Sequence, residues 1–281
     1  MEVFYDKKTF SEYIKTQKEK NKTIGFAPTM GALHAGHISL YKEARQKNDI
    51  VISSIFVNPT QFNNPEDLEK YPRTIDVDIK KLENSNLVNA VYIPRVEDIY
   101  PNRMERKHYN FGGIENEMEG AARPGHFDGV GTVVEELFVQ VQPDNAYFGE
   151  KDFQQLKIIE KLVEVLNLKI NIHGVKIYRE ENGLAMSSRN MRLSEIEKET
   201  SSIIYKTLKQ VNDWTKTLNI SDIKEKVENI FNQGEMDLEY FMITDEETLK
   251  EVNSISNDKN YRAFIVVNIG NVRLIDNLHL D

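Results

Sequence analysis

Five short apolar runs, most of them rich in β-branched residues and alternating with stretches of helical spacing, constrain this chain more than any other feature. The runs "TIGFAPT" (23–29), "DIVISSIFV" (49–57), "NAVYIPR" (89–95), "NAYFGEK" (145–151) and "KINIHGV" (169–175) read as strands. Between them "HISLYKEARQK" (37–47), "DVDIKKLENS" (76–85), "GTVVEELFVQVQ" (131–142) and "DFQQLKIIEKLVEVLN" (152–167) read as helices. In the last of these, Leu156, Ile159, Leu162, Val163 and Leu166 make the stripe of a helix packed on a sheet. Parallel strands need crossover helices, so the alternation predicts an α/β, Rossmann-like domain with a mostly parallel sheet and flanking helices. In such sheets ligands bind beyond the carboxyl ends of the strands.

After residue 176 the texture changes. A polar loop, "YREENGLAMSSRN", leads into helices near 194–214 and 221–233, followed by the strands "LEYFMITD", "YRAFIVVNIG" and "VRLIDNLHL". We expect two domains: residues 1–177 Rossmann-like, and residues 178–281 a smaller α+β domain that begins with the loop and acts as a lid. Repeats and low-complexity tracts are absent.

The 281 residues carry a formal net charge of −9. That balance argues against a broad nucleic-acid surface, which needs a basic face. The chain has no cysteine, which excludes disulfides, thiolate metal sites and a cysteine nucleophile. "MEVFYDKKTF" lacks the apolar core of a signal peptide, and no apolar run reaches the roughly 18–20 residues that span a bilayer. The expectation is a cytoplasmic protein. A polyanionic ligand would need cationic and N–H groups gathered at one place in this acidic whole.

Four segments offer such groups. "PTMGALHAGH" (28–37) follows the first strand and opens a helix, and it holds two of the six histidines, His34 and His37. Helix N-termini attract phosphates, and imidazoles there can stabilise charge on a leaving pyrophosphate. "AMSSRN" (185–190) sets two hydroxyls and a guanidinium beside the "NG" of Asn182 and Gly183, although an exposed polar loop would look the same. Nearby, Ser194 and Glu197 have the spacing of a capping box, a structural role. "FGEKDFQQL" (148–156) is a second strand-to-helix transition: Gly149 permits close approach, Lys151 brings a charge, and Asp152 suits a cap or ribose hydroxyls. The long loop "FVNPTQFNNPEDLEKYPRT" (56–74) carries the neutral amides Asn58 and Gln61, suited to hydroxyls and a carboxylate. A further loop, "RPGHF" (123–127), adds Arg123 and His126 as possible sources of positive potential.

An H-x-G-H after the first strand, paired with M-S-S-R beyond the fifth, resembles the signatures of class I aminoacyl-tRNA synthetases and related nucleotidyl transferases. The ordered series "PTMGALHAGH", "FVNPTQF", "YPRT", "RPGHF", "GEKDFQQL" and "GLAMSSRN" is similar, over nearly the whole chain, to the pantothenate synthetases, the pantoate–β-alanine ligases. The resemblance implies ATP-dependent condensation of (R)-pantoate with β-alanine through a pantoyl adenylate, releasing AMP and pyrophosphate. It implies that Met30, Gly31, Ala32, Leu33, His34, Ala35, Gly36 and His37 hold ATP, with His34, His37 and Lys151 catalytic. Gly149, Glu150, Lys151 and Asp152 match a second ATP segment, Tyr178 a main-chain contact to adenine, and Met186, Ser187, Ser188 and Arg189 a mobile phosphate loop. Gln61 matches a position for pantoate and β-alanine, and Gln155 one for pantoate. Mg²⁺ accompanies ATP in this reading, with ligands unassigned; Asp76 and Asp78 are candidates that could equally cap a helix. A homodimer is implied by resemblance alone.

The chain departs from the pattern in places. Ala185 stands where tRNA synthetases commonly have the first lysine of K-M-S-K-S, Phe153 replaces the usual tyrosine of "GEKDYQQ", and Met191 and Arg192 replace the commoner pair after the loop. Two alternatives stay open. A nucleotidylyltransferase acting on a phosphorylated acceptor would want arginines where Gln61 and Gln155 stand. A nucleic-acid-binding synthetase fragment would want a basic domain.

Overall fold

The computed structural model describes residues 1–63, 65–232 and 234–281. The chain forms two compact units, one of residues Met1–Glu150 and Gln154–Lys176, the other of Lys151–Phe153 and Ile177–Asp281.

The first unit is built on a sheet of β1 (Glu2–Phe4), β2 (Ile24–Thr29), β3 (Ile50–Ile55), β4 (Ala90–Tyr92), β5 (Asn145–Gly149) and β6 (Asn171–Val175). All its pairings are parallel, in the order β1-β4-β3-β2-β5-β6. Its helices are α1 (Lys7–Glu19), α2 (Ala35–Lys47), α3 (Pro65–Lys70), α4 (Ile75–Ser85), α5 (Val96–Ile99), α6 (Met118–Ala122), α7 (His126–Val141) and α8 (Phe153–Val165), the last beginning on a residue of the second unit. Successive strands run outward from β2 through β3 to β4, then the order reverses and β5 pairs with the free side of β2. Thr29 and Gly149 therefore end neighbouring strands at the topological switch point, where open α/β sheets bind ligands.

Both faces of the sheet are covered, which is why β2 reads as a continuous apolar run. Leu40, Tyr41 and Ala44 of α2 and Leu82 of α4 pack on one face with Ala27, Val51 and Val91. On the other, Phe26 meets Phe138 of α7 edge to face, and Phe10 of α1 stacks on Tyr92. Several polar groups in this core are paired, as burial favours: Tyr41 Oη with Ser53 Oγ at 2.6 Å, and Asn48 Nδ2 donating to Tyr147 Oη at 2.8 Å. The Ser54 hydroxyl of β3 is buried without a partner among the described residues.

The second unit contains α9 (Glu195–Thr200), α10 (Ile203–Trp214), α11 (Ile220–Asn232) and an antiparallel sheet of β7 (Asp237–Asp245), β8 (Tyr261–Ile269) and β9 (Val272–Leu280), in that order. Ile204, Leu208 and Val211 of α10 and Ile223, Val227 and Phe231 of α11 bury against Ile243, Ile265 and Val267 of the strands.

The expected fold class is what the structure has, with local corrections. Nothing in the sequence pattern marks β1 and α1: a three-residue edge strand has no readable period, and α1 buries only Phe10 and Ile14 among charged neighbours. α7 starts at His126, five residues before the expected 131, because Gly129 and Gly131 mark close packing and not a loop. A Cβ at Gly129 would lie 2.6 Å from Thr60 O, and one at Gly131 would lie 2.9 Å from the Tyr109 ring. The helix expected over 194–214 breaks at Ser201, whose hydroxyl donates to Glu197 O at 2.6 Å. The loop 56–74 contains a 3-10 turn, Pro59–Gln61, and α3.

Candidate active site

The turn from β2 into α2 is held by a buried carboxylate. Gly31 and Ala32 both have positive φ, +82° and +50°. A side chain at Gly31 would press on Asp78 Oδ2 and Ile55 Cγ2, so glycine is required there for space and conformation. Asp78, fully buried in the first turn of α4, accepts from Ala32 N at 2.9 Å, Leu33 N at 2.8 Å and Thr74 Oγ1 at 3.0 Å. One turn along the same helix, Lys81 Nζ donates to Leu33 O at 2.6 Å. The two side chains fix both backbone polar groups of Leu33.

His34 and His37 then start α2. His34 is its N-cap: Nδ1 accepts from Gly36 N at 3.1 Å, while His34 N donates to His37 Nδ1 at 3.2 Å. This is a capping box with imidazoles in the places usually filled by serine and glutamate. The rings lie 4.0 Å apart between centroids. Each Nδ1 accepts a backbone N–H, so in the neutral ring the proton sits on Nε2. The two hydrogen bonds thus assign both rings the Nε2–H tautomer at a helix N-terminus.

Gln61 is held from both sides. Its side-chain oxygen accepts from Asn58 Nδ2 at 3.1 Å, and its Nε2 reaches Met30 Sδ at 3.3 Å. Its carbonyl accepts from Arg123 Nη2 at 3.1 Å and from His126 Nδ1 at 2.8 Å. The "RPGHF" loop therefore anchors the main chain of Gln61, a role distinct from adding potential. Asn58, 1% exposed, also donates to Gly129 O and accepts from the Tyr100 hydroxyl at 2.6 Å. Burial raises the Tyr100 pKa, which keeps that hydroxyl a neutral donor.

The two glutamines that open α8 differ in surroundings. Gln154 is buried; its Nε2 donates to Ile114 O and Glu117 O, and its Oε1 accepts from Glu119 N. Gln155, partly exposed, makes none of these bonds.

In the second unit, Lys151 and the exposed Asp152 belong to the 3-10 turn Glu150–Asp152, and the Lys151 carbonyl accepts from Asn277 Nδ2 at 2.9 Å. Residues 178–186 form a small hairpin: Met186 N donates to Tyr178 O, Glu180 N to Leu184 O, and Arg179 bridges Ala185. Its tip is Asn182–Gly183, the glycine at φ +96°. Ser187 Oγ caps the following 3-10 turn by accepting from Arg189 N, so that hydroxyl has a local role the sequence does not suggest. Asn190 is buried and donates to Glu180 Oε1 and Ala185 O. The expected Ser194–Glu197 capping box is present.

The acidic candidates do not fit a protein-held metal. Both oxygens of Asp78 already accept N–H or O–H donors in a dry environment, and Asp76 is exposed. Among the described residues no group of three or more His, Asp or Glu side chains is arranged to hold an ion.

The sequence profile described as pantoate-beta-alanine ligase matches residues 2–279. A pantothenate synthetase of Flavobacterium psychrophilum is 50% identical over 280 residues, covering 99% of each chain. The chain belongs to the pantoate–β-alanine ligase family.

Another pantothenate synthetase, from Christiangramia forsetii, is 48% identical over 282 residues and the full length of both chains. The crystal structure of pantothenate synthetase from Thermus thermophilus superposes with a TM-score of 0.90 at 35% identity, covering 99% of both chains. The pantoate-beta-alanine ligase of Francisella tularensis, crystallised in complex with β-γ ATP and β-alanine, superposes with a TM-score of 0.83 at 38% identity, covering 99% of this chain and 97% of its own. Like its family, this chain is an ATP-using carbon–nitrogen ligase, and no helix among its described residues is long and apolar enough to cross a membrane.

The sequence pattern does not single out several residues that hold these turns in place. Asp78 reads there only as a metal candidate or a cap, and nothing draws notice to Lys81 or Asn190. The i, i+3 spacing of Asp78 and Lys81 on a helix with an otherwise apolar inner face is the available signal.

Proposed function

We propose that the chain activates the carboxylate of (R)-pantoate with ATP and passes the acyl group to β-alanine. A carboxylate oxygen attacks the α-phosphorus, the bond to the bridging oxygen breaks, and pyrophosphate leaves with the electron pair. The amine nitrogen of β-alanine then attacks the acyl carbon of the pantoyl adenylate. AMP leaves, and the nitrogen loses a proton to give pantothenate.

The observation that carries this reading is the imidazole capping box, which fixes two Nε2–H donors at the N-terminus of α2. Negative charge moves onto the departing pyrophosphate, and donors already in place stabilise it without reorganising. Met30 to His37 form the phosphate segment, with His34 and His37 at the leaving group. Gly149, Glu150, Lys151 and Asp152 supply the second segment, Lys151 on phosphate and Asp152 toward the ribose. The main chain of Tyr178 takes adenine, and Met186, Ser187, Ser188 and Arg189 close on the phosphates. Gln61 and Gln155 hold pantoate, Gln61 also facing β-alanine. Neutral amides suit a substrate with two hydroxyls and a carboxylate, and a site built on such bonds rejects analogues that lack them. The nucleotide and β-alanine bound to the Francisella relative support the same substrate pair.

The second unit serves as the lid that keeps water from the adenylate. Mg²⁺ bound with ATP would neutralise charge on its phosphates; among the described residues no group of three carboxylate or imidazole side chains is arranged to hold the ion by itself. The working form is a cytoplasmic homodimer.

Radiolabelled pyrophosphate should exchange into ATP only with pantoate present, and AMP should appear once β-alanine is added. Exchange without pantoate would favour the nucleotidylyltransferase alternative.

A further inference from the structure

Two consecutive residues near the end of the chain hold, on opposite faces of one strand, the segments just assigned to ATP. Strand residues alternate in direction, and β9 uses both directions. Toward one face, Asp276 takes the guanidinium of Arg179 in a two-point pair, Nη1 to Oδ2 at 2.6 Å and Nη2 to Oδ1 at 3.0 Å. Arg179 Nη1 also donates to Gly183 O at 3.1 Å, and the guanidinium lies 3.6 Å from the centroid of the Tyr205 ring on α10. Both the base and the tip of the 178–186 hairpin are thereby tied to β9. Toward the other face, Asn277, 1% exposed, donates from Nδ2 to Lys151 O at 2.9 Å and accepts Arg262 Nη1 on Oδ1 at 2.6 Å. Arg262 covers the ring of Phe153, and Phe153 meets Phe264. The peptide before and after Asp152 is therefore set by β8 and β9. Asn277 N donates to Asp276 Oδ1 at 2.8 Å, which couples the two anchors.

Here a lysine segment and a serine–arginine loop, separated by 25 residues or more of chain, share one rigid pair of strands within the same unit. A buried charged pair in a planar two-point geometry is a poor way to gain stability alone, but a good way to fix orientation.

We propose that Asp276 and Asn277 are positioning residues for the ATP half-reaction: they set Lys151 and the Met186–Arg189 loop at a fixed spacing across β9. The proposal rests on the reading that those two segments bind the nucleotide phosphates. The pair touches no substrate and acts through Lys151, Arg179 and the hairpin.

The test is a double-mutant cycle on the full chain, read by pantoate-dependent pyrophosphate exchange. Asn277→Ser should lower kcat/KM for ATP by about tenfold to a hundredfold, the scale of a misplaced binding group, with KM for pantoate within twofold of the parent. Asp276→Asn should do the same. In a Lys151→Ala background Asn277→Ser should add little, and in an Arg189→Ala background Asp276→Asn should add little, because each anchor acts through the group already removed. Should Asn277→Ser fail to unfold cooperatively, Asn277→Asp replaces it: the acceptor for Arg262 is kept and an oxygen faces the Lys151 carbonyl. Additive losses, or anchor variants with unchanged kcat/KM for ATP, overturn the proposal while Lys151→Ala and Arg189→Ala remain impaired. If Lys151→Ala and Arg189→Ala themselves leave ATP kinetics unchanged, the underlying site reading fails and the positioning role with it.

Discussion

Asp78 Oδ1 lies 2.8 Å from the backbone nitrogen of Leu33 and accepts its hydrogen, while Oδ2 does the same for Ala32. Asp78→Asn would set an NH₂ against a backbone donor. An unsatisfied buried group costs about 1–3 kcal/mol, and the turn that carries His34 would loosen. Calorimetry should show ATP binding weakened by roughly tenfold, with unchanged Mg²⁺ concentration for half activity. A shifted Mg²⁺ midpoint would return Asp78 to the role of metal ligand.

Capping and chemistry can be separated at His34. Asparagine is among the best N-cap residues, so His34→Asn should keep the start of α2 and hold stability within about 0.5 kcal/mol. The Nε2–H donor is lost, and the exchange rate should fall by about 10²–10³, the scale for one transition-state donor. Equal loss of melting temperature and activity would assign the imidazole to structure alone.

Gln154 and Gln155 should behave in opposite ways. Gln154→Ala removes the Gln154 partner of Ile114 O and Glu119 N and one of three donors to Glu117 O; stability should drop by about 1–3 kcal/mol. Gln155→Ala should leave melting almost unchanged and raise KM for pantoate by roughly tenfold, about one lost hydrogen bond to a substrate. Steady-state kinetics beside thermal denaturation reads both.

Acid should weaken the second unit through Asp245. Burial alone would push this carboxyl up, but hydrogen bonds from Thr248 N, Lys259 Nζ, Thr248 Oγ1 and Glu247 N outweigh it and hold the pKa at about 2. A depressed folded-state pKa contributes stability above the unfolded value, near 4, and that stability is lost as pH falls toward 2. The contribution is about 2 kcal/mol. Urea titrations of the parent and Asp245→Asn should differ by that amount at neutral pH, by about half of it near pH 3, and converge only below about pH 2.

The parallel sheet is legible in the sequence because a strand covered on both faces has to be apolar throughout, as Ile24, Phe26 and Ala27 are. The histidine pair is legible because its place after a strand and before a helix has a physical meaning. What escapes are contacts that join distant parts of the chain. No local pattern distinguishes Asp78 as a clamp from Asp78 as a cap, since the donors it serves lie more than 40 residues upstream. Gly129 and Gly131 mislead for the same reason: their neighbours, Thr60 and Tyr109, belong to other elements. Asp276 and Asn277 look like ordinary strand residues until their partners are known.

The smaller unit borrows three residues from the middle of the chain, Lys151 to Phe153. A gene cut at residue 176 would thus yield a C-terminal fragment whose Arg262 and Phe264 have no ring to pack on and whose Asn277 has no carbonyl to hold. Separate expression of the halves, a common route to studying lids, would mutilate this one, and only a tripeptide supplied in trans or a permuted gene could restore what the cut removes.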